Sequence, residues 1–346
     1  MSSIPEGQQQ AAASRDRPTM SDVAAEAGVS LKTVSRVVNA EPGVRPETAE
    51  RVIAAVRALG FRPNVVAADF ARGASRSEIG LVIDDVSNPF WAKAARAIED
   101  TAAASGRHVI TASSDFEPAR EHEIIESFVG HRLGVLLVVP VDRDHSYLAR
   151  EMDLGVSIVF LDRPQGNLAA DTITLDDYGG ARAATEHLLE RGHRRIALLA
   201  QTLRIYTMME RHRGYRDALA DAGVGPDPAL EIHVETVDEA RQATRGLIAR
   251  ADAPTAVFCA NNRMSVGAVG GLGAHRTEVA LVGFDDIELA EALAVPLTVV
   301  RADPTELGRT GAELLLRRMD GWDALPARII LPTTLVPRGS GEIAPP

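Results

Sequence analysis

The sequence predicts an α/β protein: a three-helix head, then a core of two lobes, each a parallel β-sheet covered by helices. Three observations carry this. From Glu78 onward, short Val/Ile/Leu runs alternate with stretches of helical period; IGLVID, HVITAS, GVLLVVP, VSIVFLD, RIALLA, TAVFCA and VALVGFD are examples. Strands apolar on both faces and separated by helices belong to parallel sheets buried on both sides. About ten such runs are too many for one compact core, which divides them between two lobes. The first sixty residues instead carry capped amphipathic helices joined by glycine.

The N-terminal stretch SSIPEGQQQAAASRDR has no basic flank followed by an apolar segment, so it reads as a polar disordered tail (residues 1–17) and not as a secretory signal. The head follows over residues 18–62. Thr19 with Asp22 fits a capping box, a hydroxyl and a carboxylate serving the orphan N–H groups of a helix start. Val23, Ala24 and Ala27 share one face, and Gly28 can take the positive φ of a sharp turn. Ser30 caps a second helix with Val34, Val37 and Val38 inward. Its other face shows Leu31, Lys32, Thr33, Ser35, Arg36 and Asn39. That polar, partly basic surface suits a helix lying in a major groove, although capped helix hairpins are also common as plain structure. A third helix is expected from Pro46 to about Leu59, with Ala49, Val52, Ile53 and Val56 on its apolar face and Gly60 ending it.

At this point AAEAGVSLKTVSRVVN, followed by GVRPETAERVIAAVRALGFRPN, resembles the head of the LacI/GalR family of bacterial transcription regulators. The resemblance continues in SNPFW, GHRRIALLA, ERHRGYRDAL and LVGFDDIELA, and spans roughly residues 18–338. It implies a sequence-specific DNA-binding regulator, a repressor, whose two copies bind a near-palindromic operator in double-stranded DNA. Leu31, Lys32 and Arg36 are then the base readers, Lys32 or Arg36 donating to guanine and Leu31 touching a thymine methyl. Thr19, Thr33, Ser35, Asn39 and Thr48 accompany them on the DNA face, mostly as phosphate contacts. Arg45 replaces a small polar residue before Pro-Glu-Thr, exchanging a helix cap for a phosphate contact. Residues 63–77 correspond to the family's hinge helix, with Asn64, Ala67 and Phe70 at the minor groove. Phe70 stands where the family places a leucine wedge, and an apolar side chain there can unstack a base step. Asp69 and Ala68 depart from the more usual residues.

Over residues 78–340 the resemblance implies the type I periplasmic-binding-protein fold. The N-lobe spans about 78–175 and 302–327 and the C-lobe about 176–301 and 328–340, with a short tail over 341–346. Ligands of open α/β sheets bind beyond the carboxyl ends of the strands. Those ends present Asp84, Asp85, Phe90 and Trp91, then Ser113–Asp115, Asp162 and Arg163, Asn261 and Asn262, and Asp285 and Asp286, with Arg211 from an early helix turn. Aromatic faces with Asp, Asn and Arg suit a polyhydroxyl ligand. By resemblance, Phe90, Trp91, Asp162, Arg211, Asn261 and Asp285 match effector contacts, the effector being a small molecule such as a sugar. Asn262 departs from the aspartate usual after that asparagine. Each residue also has a plainer reading: Asp285 as a turn cap, Arg211 as a lobe-internal ion pair, Phe90 and Trp91 as core.

The net charge of −11 is unevenly spread. Residues 1–73 hold nine Lys/Arg against eight Asp/Glu, so the acidic excess lies in the remainder. A near-neutral head can still present local basic groups to phosphates. The single cysteine, Cys259, excludes an internal disulfide and sits in an apolar run. No segment reaches the ~18 apolar residues of a membrane span, and a cytoplasmic protein is expected. There is no P-loop, GxSxG or HExxH pattern, and the nine histidines are scattered. No catalytic residue, metal or cofactor is therefore expected. A solute-binding protein, or a two-lobed α/β enzyme with an incidental helical N-terminus, are the alternatives. The chain ends PRGSGEIAPP without a leucine heptad, which favours a homodimer.

Overall fold

The computed structural model describes residues 18–39, 41–61 and 78–346. The chain forms two compact units, residues 1–75 and 76–346.

In the first unit, α1 (Met20–Ala27) begins at a capping box in which Asp22 N–H donates to Thr19 Oγ1 and Thr19 N–H donates to Asp22 Oδ2. Gly28, at φ 61°, turns the chain into α2 (Leu31–Val38), capped by Ser30. Helix α3 (Pro46–Leu59) starts at Arg45, whose side chain makes no cap bond, and stops at Gly60. The three helices bury Val23, Ala27, Val34, Val52, Ala55 and Phe61. Arg51 ties α3 to the end of α1 by donating to the Ala27 and Gly28 carbonyls, where a cation also complements the helix dipole. Ile53, expected inside, is 44% exposed. The packed stripe runs through residues 52, 55, 56 and 59, a helical i, i+3, i+4, i+7 set, which leaves 53 a step around the helix.

The second unit holds twelve strands among the described residues, in two six-stranded sheets. The first sheet, in order β11-β5-β4-β3-β1-β2, is parallel throughout. Its strands are β1 (Glu78–Ile83), β2 (His108–Ser113), β3 (Val135–Val138), β4 (Ser157–Asp162), β5 (Asp171–Leu175) and β11 (Arg328–Leu331). The second sheet, in order β12-β10-β9-β8-β6-β7, contains β6 (Ile196–Ala200), β7 (Glu231–His233), β8 (Ala256–Cys259), β9 (Ala280–Phe284), β10 (Thr298–Arg301) and β12 (Thr334–Val336). Only β12 runs antiparallel to its neighbour.

Each sheet buries both faces, as period-2 alternation in wholly apolar strands requires. Ile79, Leu81 and Ile83 enter one core of the first lobe and Val82 the other. Ile196, Leu198 and Ala200 enter one core of the second lobe, Ala197 and Leu199 the other. Helix α4 (Pro89–Ala104) packs on α11 (Pro304–Met319) over the first sheet. Gly308 permits that approach, since a Cβ there would lie 2.3 Å from the Ala94 carbonyl oxygen.

Two expectations change. The run RIILPTTLVP is two strands, not one, and the last crossing between lobes falls at Pro332–Thr333 rather than near residue 327. Residues 328–331 pair with β5 and belong to the N-lobe, and the C-lobe regains the chain only at β12. Pro332 has no N–H to extend a ladder, so the chain leaves one sheet there. Between β3 and β4 the chain also forms short helical turns over Ser146–Leu148 and Ala149–Asp153, too brief to show a period in sequence.

Candidate functional site

The carboxyl ends of the strands from both sheets meet around a small, partly open chamber between the lobes with about 50 Å³ of free space. The first lobe contributes Asp84 after β1, Phe90 and Trp91 from α4, Phe116 after β2, and Asp162 and Arg163 after β4. The second contributes Gln201 after β6, Arg211 from helix α8 (Tyr206–Asp221), Asn261 and Asn262 after β8, and Asp285 after β9. All six residues singled out from the sequence, Phe90, Trp91, Asp162, Arg211, Asn261 and Asp285, lie on its walls.

Two buried guanidiniums organise the walls, one per lobe. Arg163 grips both oxygens of Asp84, donates to the Pro140 carbonyl at 3.1 Å, and passes Asp162 at 3.5 Å. Arg211 donates to Asp177 Oδ1 at 2.7 Å, to the Ala260 carbonyl at 2.6 Å and to Asp285 Oδ2 at 3.3 Å. Its plane lies 3.6 Å from the Phe284 ring centroid. The lobe-internal ion pair is thus real, and it sits in the chamber wall. Trp91 likewise belongs both to the core of the first lobe and to the chamber, meeting Phe90 edge to face at 5.2 Å.

Four buried carboxylates, Asp84, Asp162, Asp177 and Asp285, face these two cations. Burial pushes the Asp84 carboxyl up to about 6 against the opposing pull of Arg163. Burial also raises Asp177 and Asp285, with Arg211 acting the other way. Arg163 Nε and Asp285 Oδ1 are buried without a hydrogen-bond partner, which leaves one donor and one acceptor unsatisfied on the chamber walls; Asp177 Oδ2, on the residue paired with Arg211, is unsatisfied too.

Backbone strain concentrates here. Five non-glycine residues among those described have positive φ, and four of them line the cleft: Asp115 (53°), Phe116 (60°), Asp162 (69°) and Asp285 (64°). Aspartate tolerates this region, but for phenylalanine it costs about 1–3 kcal/mol. Direct bonds cross between the lobes beside the chamber. Asn262 Nδ2 donates to Asn88 Oδ1 at 2.7 Å, and Arg263 pairs with Asp85 and donates to Ser87 Oγ at 3.0 Å. Phe116, Gln201 and Asn88 escape the sequence reading. The strand-end rule stops one residue short of Phe116, and Asn88 looks like a helix cap, which it also is.

The head carries the second candidate surface. Leu31, Lys32 and Arg36 project from α2 into solvent, and Arg45 is exposed at the start of α3. Thr33 and Ser35 are half-buried, their hydroxyls bonded to Ser30 Oγ and Asn39 Nδ2 respectively. Thr19 serves its helix cap, and Thr48 lies half-buried on α3. Asn64, Ala67 and Phe70 lie outside the described residues. Among the described residues no helix is long and apolar enough to cross a membrane, and no group of three or more His, Cys, Asp or Glu is placed to hold a metal ion.

Comparison with known proteins points the same way. Residues 19–64 match the model of bacterial regulatory proteins of the lacI family, and residues 185–341 match a periplasmic binding protein-like domain. The chain is 33% identical over 331 residues to the transcriptional regulator GalR of Escherichia coli (strain K12), covering 93% of this chain and 95% of that one. It is 35% identical over 341 residues to the transcriptional regulator CelR of Thermobifida fusca, covering 94% and 99%. Among solved structures, a lac repressor dimer bound to operator and an anti-inducer superposes with a TM-score of 0.80 at 28% identity, covering 94% of this chain and 99% of that one. A CelR–cellobiose complex gives 0.69 at 32%, covering 94% and 100%.

Proposed function

The chain belongs to the LacI/GalR family of bacterial transcription regulators, and from that premise we propose that its operator affinity is set by an uncharged polyhydroxyl effector, a sugar, held in the interlobe chamber. The protein is a DNA-binding regulator; the reading added here concerns which residues carry each step. Leu31, Lys32 and Arg36 read base edges in the major groove, while Arg45 holds phosphate. Phe90, Trp91, Asp162, Arg211, Asn261 and Asp285 hold the effector, with Asn64, Ala67 and Phe70 of the hinge segment at the operator centre.

One observation carries the effector reading: the rings of Phe90, Trp91 and Phe116, an unpaired buried donor on Arg163 and an unpaired buried acceptor on Asp285 converge from both lobes on one chamber. Adjacent sugar hydroxyls donate and accept at once, and the apolar faces of the ring stack on aromatic side chains. CelR, whose cellobiose complex shares this fold, supports a sugar. With only about 50 Å³ free between these side chains, a sugar ring enters as the lobes part. Their change of angle then alters operator affinity, with coupling of about 1–3 kcal/mol. We assign no reaction to the chamber: Asp84, Asp177 and Asp285 are committed to guanidiniums.

We further read the active form as a cytoplasmic homodimer. A shallow groove of about 500 Å³ beside Pro89 exposes Val266 and Leu289, apolar surface that a second copy can cover.

A thermal-shift screen of sugars, sugar phosphates, nucleosides and purines tests the effector. Ligand at about 100 times Kd should add ~2.7 kcal/mol. A neutral sugar should stabilise the protein, and Asp285→Ala and Arg211→Ala should remove the effect. A sugar shift that survives both variants places the effector elsewhere, and a shift from purines or nucleosides alone withdraws the sugar.

A further inference from the structure

The chamber is not the whole cleft. A second cavity of about 890 Å³ opens between the same lobes, within the ~300–1,000 Å³ range of small-molecule pockets. Phe116, Arg163, Gln201 and Ile205 line both, so the two spaces share a wall. Phe116 stands at that junction in its strained left-handed conformation, its ring 5.6 Å from the Arg163 guanidinium. The outer cavity mixes apolar surface with hydrogen-bonding groups: Phe116, Pro140 and Pro164 from the first lobe face Ile205, Tyr206 and Met209 from the second. Its charge is acidic. Arg163 and Arg263 are taken by Asp84 and Asp85, and Asp115 is taken by Arg120; the remaining rim carries Glu117, Asp142 and Glu235 against Arg143 and Arg204. The inner chamber repeats the imbalance, with Asp84, Asp162 and Asp285 lining it against Arg163 and Arg211.

Resting on the sugar reading above, we propose that the effector is an uncharged oligosaccharide of at least two residues. Its terminal ring occupies the inner chamber and the next ring sits in the outer cavity between Phe116 and Tyr206. Aromatic and proline faces take the apolar faces of the outer ring, and the rim carboxylates accept from its hydroxyls. The carboxylate excess in both spaces repels a phosphate or carboxylate on the ligand.

Calorimetric titration of the full chain with glucose, galactose, cellobiose, lactose, maltose, maltotriose and glucose 6-phosphate tests this. At least one oligosaccharide should bind about tenfold or more tighter than either monosaccharide. Tyr206→Ala should cut that preference about fivefold, the worth of one aromatic contact. Asp285→Ala should abolish binding of every sugar. A monosaccharide that binds as tightly as the best oligosaccharide, in a ratio Tyr206→Ala does not move, removes the outer subsite while leaving the sugar effector intact. Tightest binding by glucose 6-phosphate overturns the uncharged ligand. No binding by any of the seven overturns this proposal and the sugar reading together.

Discussion

At the scale of single residues, the head is proposed to divide groups that read sequence from groups that hold phosphate. Arg36 approaches Glu41 only at 3.8 Å, with both side chains exposed, a pairing worth too little to withhold the guanidinium from DNA. Lys32 stands exposed on the same helix face. Arg45 differs: it leaves α3 without a side-chain cap, and its site at a helix start suits a phosphate neighbour. Lys32→Ala should therefore cost about 1–3 kcal/mol of discrimination at one operator base pair. Arg45→Ala should weaken binding evenly and lower the slope of log K against log salt by about 1. Titrations of the operator and its single-base variants over a salt series distinguish the two, and identical behaviour of both variants would reject this division.

At the scale of elements, the final turn of the chain closes the second lobe. Glu342 accepts from Thr298 Oγ1 at 2.8 Å and from the Gly339 N–H at 2.6 Å, and bonds His187 Nε2 at 2.6 Å. Burial raises its carboxyl, but these hydrogen bonds and His187 outweigh burial and hold it below the usual glutamate value. A carboxylate with a depressed folded pKa stabilises the fold fully above its unfolded value of about 4.3, and that contribution is lost as pH falls through the folded value. Glu342→Gln should lower the melting temperature at neutral pH, by the equivalent of about 1–3 kcal/mol. The gap to the parent protein should narrow as pH falls below about 4.3. A gap that stays constant through acid would assign the loss to packing instead. The neighbouring break at Pro332 shows the same economy: one missing N–H hands the chain from the first sheet to the second.

At the scale of the molecule, side-chain bonds from Asn262 and Arg263 join the lobes. Asn88 Oδ1 already accepts from the Phe90 N–H at 3.1 Å as a helix cap, so the side chain opposite must donate, and Asn262 does. An aspartate at position 262 would set carboxylate oxygen against amide oxygen. Asn262 thus supplies the donor that this contact between the lobes needs. Asn262→Asp should shift the ligand-free protein toward an open form, at a cost to the closed state of about 1–3 kcal/mol. The melting temperature should hardly fall, because a carboxylate in the first turn of a helix is favourable by about 0.3–1 kcal/mol. Small-angle scattering reads this as a larger radius of gyration, and an unchanged radius would sink the idea. The acidic excess outside the first 73 residues should oppose the approach of DNA, a repulsion that salt screens.

What the sequence determined by itself was local in origin. The capping box at Thr19, the turn at Gly28 and the apolar runs of the strands are short-range patterns, and the carboxyl end of each strand follows directly from its position in the chain. That is enough to nominate Asp162, Asn261 and Asp285 before any contact is known. The tertiary structure alone decided the rest. Asn88 and Asn262 are 174 residues apart, and nothing in either segment announces the other. Phe116 reaches the chamber only because the backbone after β2 turns left-handed, a conformation its residue type disfavours. Strand β11 joins the first sheet because β5 offers it a parallel edge. Periodicity records which face of an element is buried, but not which distant element buries it or the angle at which two lobes close.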